Sequence, residues 1–301
     1  MPISDLEPDS IPDTSGIPGV SSLRLGRVGK KALRKGTAME VIICPNAARV
    51  GQIGAAKVAQ IARKVGPGVV LGVATGSSPL ATYAELAELA RTGEIDLSQA
   101  SAFALDEYVG LPVDHPLSYH DTIRRTVTVP LGLDPARVHV PDGSEDGLST
   151  AGARYEESII DAGGVDIQIL GVGSNGHVGF NEPTSSLSSR TRMKTLAPAT
   201  RQDNARFFSS IDDVPRHCVT QGLGTIMDAR NIVLVATGAH KASAVQAIIE
   251  GPVTAMWPGS ILQMHQHATV VIDEHAASKL QMADYYKQVY ANLPDWQRLD
   301  V

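Results

Sequence analysis

The sequence predicts a protein of the α/β class, and three observations predict it. From Met39 onward, short β-branched runs alternate with amphipathic segments, the order that lays down a parallel sheet with helices between its strands. The runs are apolar almost without interruption, as strands covered on both faces must be. With 301 residues, 43% of them apolar and 19% charged, the chain can bury one large core. The expected architecture is a Rossmann-like single domain, a mostly parallel sheet of about seven strands with helices on both faces.

The first expected strand is Glu40-Val-Ile-Ile-Cys44. A helix over 46–65 follows, because Val50, Ile53, Val58 and Ile61 recur at three- to five-residue spacing and keep one stripe apolar. The second strand, 69–73, runs into Ala74-Thr-Gly-Ser-Ser-Pro79. A helix over 78–92 begins there, with Ser77 or Ser78 as N-cap and Pro79 in the first turn. Strand 101–105 ends on Asp106 and Glu107. Helix 116–127, strand 137–140 and helix 149–162 lead to strand 165–171. Strand 231–236, helix 239–250, strand 268–273 and helix 275–292 complete a domain over 39–301. Residues 1–38 differ: an acidic, Pro/Ser-rich opening precedes Arg24, Arg27, Lys30, Lys31, Arg34 and Lys35. That composition predicts a disordered tail, and Met39 would serve equally as a start.

Composition removes several classes of function. Two cysteines, Cys44 and Cys218, give neither a disulfide framework nor a zinc-binding spacing, so free thiols in a reducing cytoplasm are expected. No window approaches a membrane span, and the opening residues lack the order of a signal peptide. A net charge of −6 argues against a nucleic-acid surface, where basic excess supplies most of the affinity.

Ligands of parallel sheets sit beyond the carboxyl ends of the strands, and three unusual stretches fall there. Thr75, Gly76, Ser77 and Ser78 combine exposed amides at a helix start with hydroxyls, an anion-binding arrangement. Capped turns without any ligand look the same, and the stretch matches neither a dinucleotide fingerprint nor a Walker loop. Asp106 and Glu107 put two carboxylates at the end of a buried strand, where desolvation raises the proton affinity of one into the range of a general base. Asp106 follows the apolar run directly and is the better placed; alternatively it caps the next element and leaves Glu107 in water. The third stretch, Gly171 to Pro183 (GVGSNGHVGFNEP), gathers Asn175, His177 and Glu182 on a glycine-rich turn suited to proton transfer. Further on, Arg190, Arg192, Lys194, Arg201 and Arg206 form the densest positive charge of the domain. Lys241 opens a helix, where a cation is unfavourable unless an anion is shared with the helix end.

Together these stretches resemble the glucosamine-6-phosphate deaminase (glucosamine/galactosamine-6-phosphate isomerase) family. The resemblance runs from about Met39 to the C-terminal helix through ATGSSP at 74–79, LDEYVGL at 105–111, HPLSY at 115–119, the 171–183 stretch, SRTRMKTL at 189–196, TQGLGT at 220–225 and GAHK at 238–241. It implies deamination of glucosamine 6-phosphate to fructose 6-phosphate and ammonia in amino-sugar catabolism, without metal or cofactor. Asp106 would remove the C2 proton, His177 would open the sugar ring with Glu182 as its carboxylate partner, and the phosphate would lie on Thr75–Ser78 with Arg206 and Lys241. Many family members carry Asp where this chain has Asn175, which keeps a hydrogen-bond acceptor but not the charge. Some relatives are hexamers activated by N-acetylglucosamine 6-phosphate, and Ser185, Arg192, Lys194 and Tyr285 match residues of that intersubunit site. The family site also uses the chain's N-terminal amine, which residues before Met39 would displace. Two rivals stand beside this reading. A 6-phosphogluconolactonase resembles the same fold but needs no C2 base; a non-catalytic sugar-phosphate sensor would carry a DNA-binding helix-turn-helix, for which the stretch before Met39 leaves no room.

Overall fold

The computed structural model describes residues 39–299; the expected tail at 1–38 lies outside them. Strand β1 (Glu40–Cys44) runs into helix α1 (Ala47–Val65), whose start is fixed by the Asn46 side chain accepting the Arg49 amide at 2.9 Å. Strand β2 (Val70–Val73) and helix α2 (Leu80–Arg91) come next. Gly51 on α1 faces Ala81 so closely that a Cβ there would lie 2.7 Å from the Ala81 Cβ, so α1 and α2 pack backbone to backbone. Strand β3 (Ser101–Ala104) is followed almost at once by β4 (Asp106–Tyr108). Helix α3 (Tyr119–Ile123) continues as a wider turn to Thr128. Then come β5 (Val138–His139), α4 (Leu148–Asp161), β6 (Ile167–Leu170), β7 (Arg192–Thr195), α5 (Pro198–Asn204) and β8 (His217–Thr220). The chain ends through α6 (Leu223–Met227), β9 (Ile232–Ala236), α7 (Ala242–Ile249), β10 (Ala268–Asp273) and α8 (Ala283–Ala291).

Seven strands form one parallel sheet in the order β1-β10-β9-β6-β2-β3-β5. They are the seven expected from the sequence, with the 137–140 run trimmed to two residues. Successive residues of a strand point to opposite faces, and the core divides accordingly. Val70, Phe103, Ile232 and Leu234 pack on one side of the sheet, while Leu71, Ala102, Val233 and Val235 pack on the other. Helices on both faces cover these layers, as the unbroken apolar runs required.

The structure departs from expectation in two places. A second sheet, antiparallel and ordered β4-β8-β7, stands beside the first. Its outer strand reads Arg192-Met-Lys-Thr, half-buried and exposed in alternation, too short and polar to announce itself. Helix 275–292 contracts to α8, because the Asp273 carboxylate takes the Ala276 amide at 2.7 Å and turns the chain before a helix can start. Among the described residues no helix is long and apolar enough to cross a membrane, and both cysteines are buried free thiols.

Candidate active site

Because the large sheet is parallel, the carboxyl ends of β2, β3, β6 and β9 open on one edge, on either side of the point where the strand order turns back. A cleft of about 290 Å³ lies there, lined by Thr75–Ser78 after β2, Asp106 after β3, the Gly171–His177 turn after β6, and Lys241 beyond β9, with Arg206 from the segment after α5. Parallel topology thus brings together stretches well over a hundred residues apart.

Asp106 is the first residue of β4, 4% exposed, and its register partner is Thr220 on β8. Burial pushes its carboxyl up to about 8; the like charge of Glu107 adds to this and the Phe180 amide offsets part of it. Glu107 is not left in water. It is 5% exposed, and its carboxylate accepts the amides of Tyr108 at 2.7 Å, Tyr119 at 2.9 Å and His120 at 2.8 Å. Glu107, rather than Asp106, therefore secures the next element.

Two glycines shape the imidazole loop. A Cβ on Gly173 would fall 2.2 Å from the His177 ring, and one on Gly179, at φ +55°, would meet Thr220 Oγ1 at 3.0 Å and Asp106 Oδ2 at 3.4 Å. Their absence lets His177 fold over its own loop and lets the loop approach Asp106. His177 Nδ1 lies 3.6 Å from Glu182 Oε2, a charge-pair distance longer than a hydrogen bond. Asn175 links the two: its amide nitrogen donates to Glu182 Oε2 at 2.8 Å, and its oxygen accepts the His177 backbone amide at 3.2 Å. Burial opposes the Glu182 charge, but His177, Thr200 and Asn175 outweigh it and hold the carboxyl down at about 2. Glu182 and Asn175 stand behind the imidazole, outside the cleft lining.

At the other end, α2 begins with Pro79 in the cap position and no side-chain cap. Ser77 and Ser78 line the cleft and do not cap the helix as expected. Lys241 sits at the start of α7, and burial lowers its ammonium below the usual range, with Asp203 and Arg206 acting in opposite directions. Of the five cations in the 190–206 region only Arg206 lines the cleft. Arg190 is tied to Glu156 and Asp228, and Arg201 to the carbonyls of Ile211 and Val214. Arg192 donates to Asn181 Oδ1 at 2.8 Å. Ser185 is 2% exposed, and its hydroxyl has no hydrogen-bond partner among the described residues. Arg192 and Lys194 lie on β7, whereas Tyr285 is exposed on α8, which packs on β1 at the outer edge of the large sheet.

Sequence reasoning missed Tyr119, Asp203, Asn204 and His240 as cleft residues. The Tyr119 ring stacks on Phe180 at 5.8 Å, and Asn204 donates to the Tyr108 hydroxyl at 2.9 Å. Ser174 donates to Asp203 at 3.1 Å, tying α5 to the imidazole loop. Tyr119 and His240 had a signal, since they fall in the HPLSY and GAHK stretches; Asp203 and Asn204 had none beyond nearness to Arg206.

The family described as glucosamine-6-phosphate isomerases/6-phosphogluconolactonase matches residues 46–271. Glucosamine-6-phosphate deaminase of Cutibacterium acnes is 61% identical over 250 residues, covering 83% of this chain and 95% of the relative. That of Mycolicibacterium smegmatis is 54% identical over 261 residues, with 86% and 99% covered. Among solved structures, a monomeric glucosamine-6-phosphate deaminase superposes with a TM-score of 0.77 at 40% identity, covering 80% of this chain and 99% of that one. The 6-phosphogluconolactonase from Trypanosoma cruzi, at 20% identity and a TM-score of 0.65 over 82% and 99% of the two chains, shares the fold. On the family match and these identities, the chain belongs to the glucosamine-6-phosphate isomerase/6-phosphogluconolactonase family.

Proposed function

We propose that this protein is a glucosamine-6-phosphate deaminase, converting glucosamine 6-phosphate and water to fructose 6-phosphate and ammonia in amino-sugar catabolism in the cytoplasm. The observation that carries the reading is one cleft holding a buried carboxyl, an imidazole and an anion-binding turn. His177, with Glu182 as its counter-charge, moves a proton to the ring oxygen and opens the sugar. The exposed aldehyde at C1 acidifies the C2 hydrogen. Asp106 removes that proton and returns it to C1, leaving an imine at C2 to which water adds as ammonia departs. Asp106 must be ionised for the first half of this transfer, and a carboxyl held near 8 is mostly protonated at neutral pH. The substrate's ammonium on C2 supplies the cation that draws the proton off. Amides of the Thr75–Ser78 turn, Arg206 and Lys241 grip the phosphate, the helix end contributing about 0.5–2 kcal/mol.

A lactonase needs no base at C2, and a buried carboxyl with raised proton affinity facing the cleft favours the deaminase. Ammonia release from glucosamine 6-phosphate tests the reading. Hydrolysis of 6-phosphogluconolactone without ammonia release would replace it. Activation by N-acetylglucosamine 6-phosphate through Ser185, Arg192, Lys194 and Tyr285, in a homo-oligomer, is a finer proposal. It is supported by a half-buried Arg192 whose hydrogen bonds go to neutral oxygens, and by the unpartnered Ser185 hydroxyl. A sizing measurement with rate curves at and without that effector tests it, and hyperbolic rates unaltered by the effector count against it.

A further inference from the structure

Glu107 adjoins Asp106 in β4 but lies on the opposite side of the strand, outside the cleft lining. Its carboxylate is buried and has no salt-bridge partner among the described residues; three backbone amides, those of Tyr108, Tyr119 and His120, hold it at 2.7–2.9 Å. These bonds fix the start of α3, a task that Ser118 already shares by accepting the Asp121 amide at 3.0 Å. They also fix Tyr119, whose ring lies 4.7 Å from that of Tyr108 and stacks on Phe180, so that Tyr119 and Phe180 form one wall of the cleft beside Asp106. A carboxylate can accept all three amides where glutamine could accept two, but its burial without a counter-ion still carries a cost.

We propose that Glu107 is a positioning residue for the proton-transfer step, clamping the Tyr119 wall through three amides and placing a second carboxyl behind Asp106. The inference rests on Asp106 as the proton carrier of the deaminase reading. The titratable groups around Asp106 are its neighbours Glu107 and Tyr108 in β4, Tyr119 from α3, Tyr155 from α4, Cys218 from β8, and His177 across the cleft with Glu182 behind it. Burial pushes Tyr108 up to about 12 and the Tyr119, Tyr155 and Cys218 groups well above their usual ranges, so these stay neutral during turnover. Glu182 lies 3.6 Å from His177 Nδ1 and accepts from Asn175. Burial pushes the Glu107 carboxyl above its usual range and its three amides offset part of this; in its ionised form it is the like charge without a counter-ion next to Asp106. It keeps the proton on Asp106 until a cation enters the cleft, which ties ionisation of the base to arrival of an amino sugar.

The test uses the full chain, Glu107→Gln, and Ser118→Ala as a control that weakens the same helix start without changing charge. Carbon-13 carboxyl NMR follows the Asp106 titration, assigned by its loss in Asp106→Asn, and kcat/KM for glucosamine 6-phosphate is measured against pH. In Glu107→Gln the Asp106 midpoint should fall by about one pH unit or more, with the acid limb of kcat/KM moving the same way. On the alkaline plateau kcat should drop about fivefold or more, because the glutamine NH₂ cannot accept the His120 amide. An unmoved midpoint, or an equal shift in Ser118→Ala, overturns the proposal. Should Glu107→Gln fail to fold, Glu107→Asp decides, since it keeps the charge but withdraws the acceptor from the Tyr119 and His120 amides: a lowered kcat with a smaller shift of the Asp106 midpoint is expected, and an unchanged kcat overturns the proposal. Absence of ammonia release from wild type would sink the deaminase reading alone, since the carboxyl titrations still report on Glu107.

Discussion

Asp106 sits where the proposed chemistry and stability conflict. Its carboxyl is held at about 8 in the folded protein, against about 3.9 in an unfolded chain. The native state therefore binds this proton more tightly than the unfolded one. The stability it contributes is complete below the ordinary carboxylate range and is lost as pH rises through 8. Asp106→Asn, neutral throughout, should melt above wild type by a margin that widens between pH 5 and 8.5, and a constant margin in paired thermal melts would count against the raised value. The same substitution should cut kcat by about 10²–10⁴-fold, the usual worth of a general base, with KM nearly unchanged. Retained turnover removes Asp106 from the role. Glu182 shows the opposite case: the same kind of side chain, also buried, is drawn down to about 2 because an imidazole and two hydrogen-bond donors face it. The two environments suit different duties, a proton carrier in Asp106 and a standing counter-charge to His177 in Glu182.

Elements act by aiming loops. Asp273, the last residue of β10, takes the Gly238 amide with both oxygens at 3.0 and 3.1 Å, and so anchors the turn that presents Lys241. On the proposed reading, Lys241→Ala should raise KM about tenfold or more with a smaller effect on kcat, since the phosphate would be bound in ground and transition states alike. Asp273→Ala should raise KM in the same direction through loss of the anchor. Steady-state kinetics decide, and an unchanged KM in Lys241→Ala moves the phosphate elsewhere. The small sheet depends on a second close approach, where α4 passes over the strand-start at Thr191. A Cβ on Gly152 would lie 2.2 Å from the Thr191 carbonyl oxygen, and backbone on both sides cannot yield cheaply. Gly152→Ala should cost about 1–3 kcal/mol or more in urea unfolding. A neutral result would mean that α4 can shift away from β7.

On the scale of the whole molecule, curated relatives cover 95–99% of their own length with 83–86% of this chain, and the described fold begins at Met39. A chain starting at Met39 should therefore keep kcat/KM within about twofold, and a larger loss would assign residues 1–38 a part in the reaction. The sequence by itself determined the seven strands of the parallel sheet, their alternation with helices, and which loops stand at strand ends. Those properties follow from periodicity over a few neighbouring residues, which a linear reading senses directly. It also flagged Asp106, His177 and Glu182, because glycine-rich or polar stretches break an apolar strand abruptly, and Lys241, because a cation at a helix start is out of place without an anion to share. Tertiary structure alone decided what depends on partners far along the chain. Arg190 is claimed by Glu156 and Asp228, 34 and 38 residues away, so of five clustered cations only Arg206 reaches the cleft. Glu107 is buried by α3, twelve residues on, and the antiparallel sheet exists because β8 returns to pair with β4. Burial and charge pairing are properties of what lies across a few ångströms of space, and only the folded chain sets those distances.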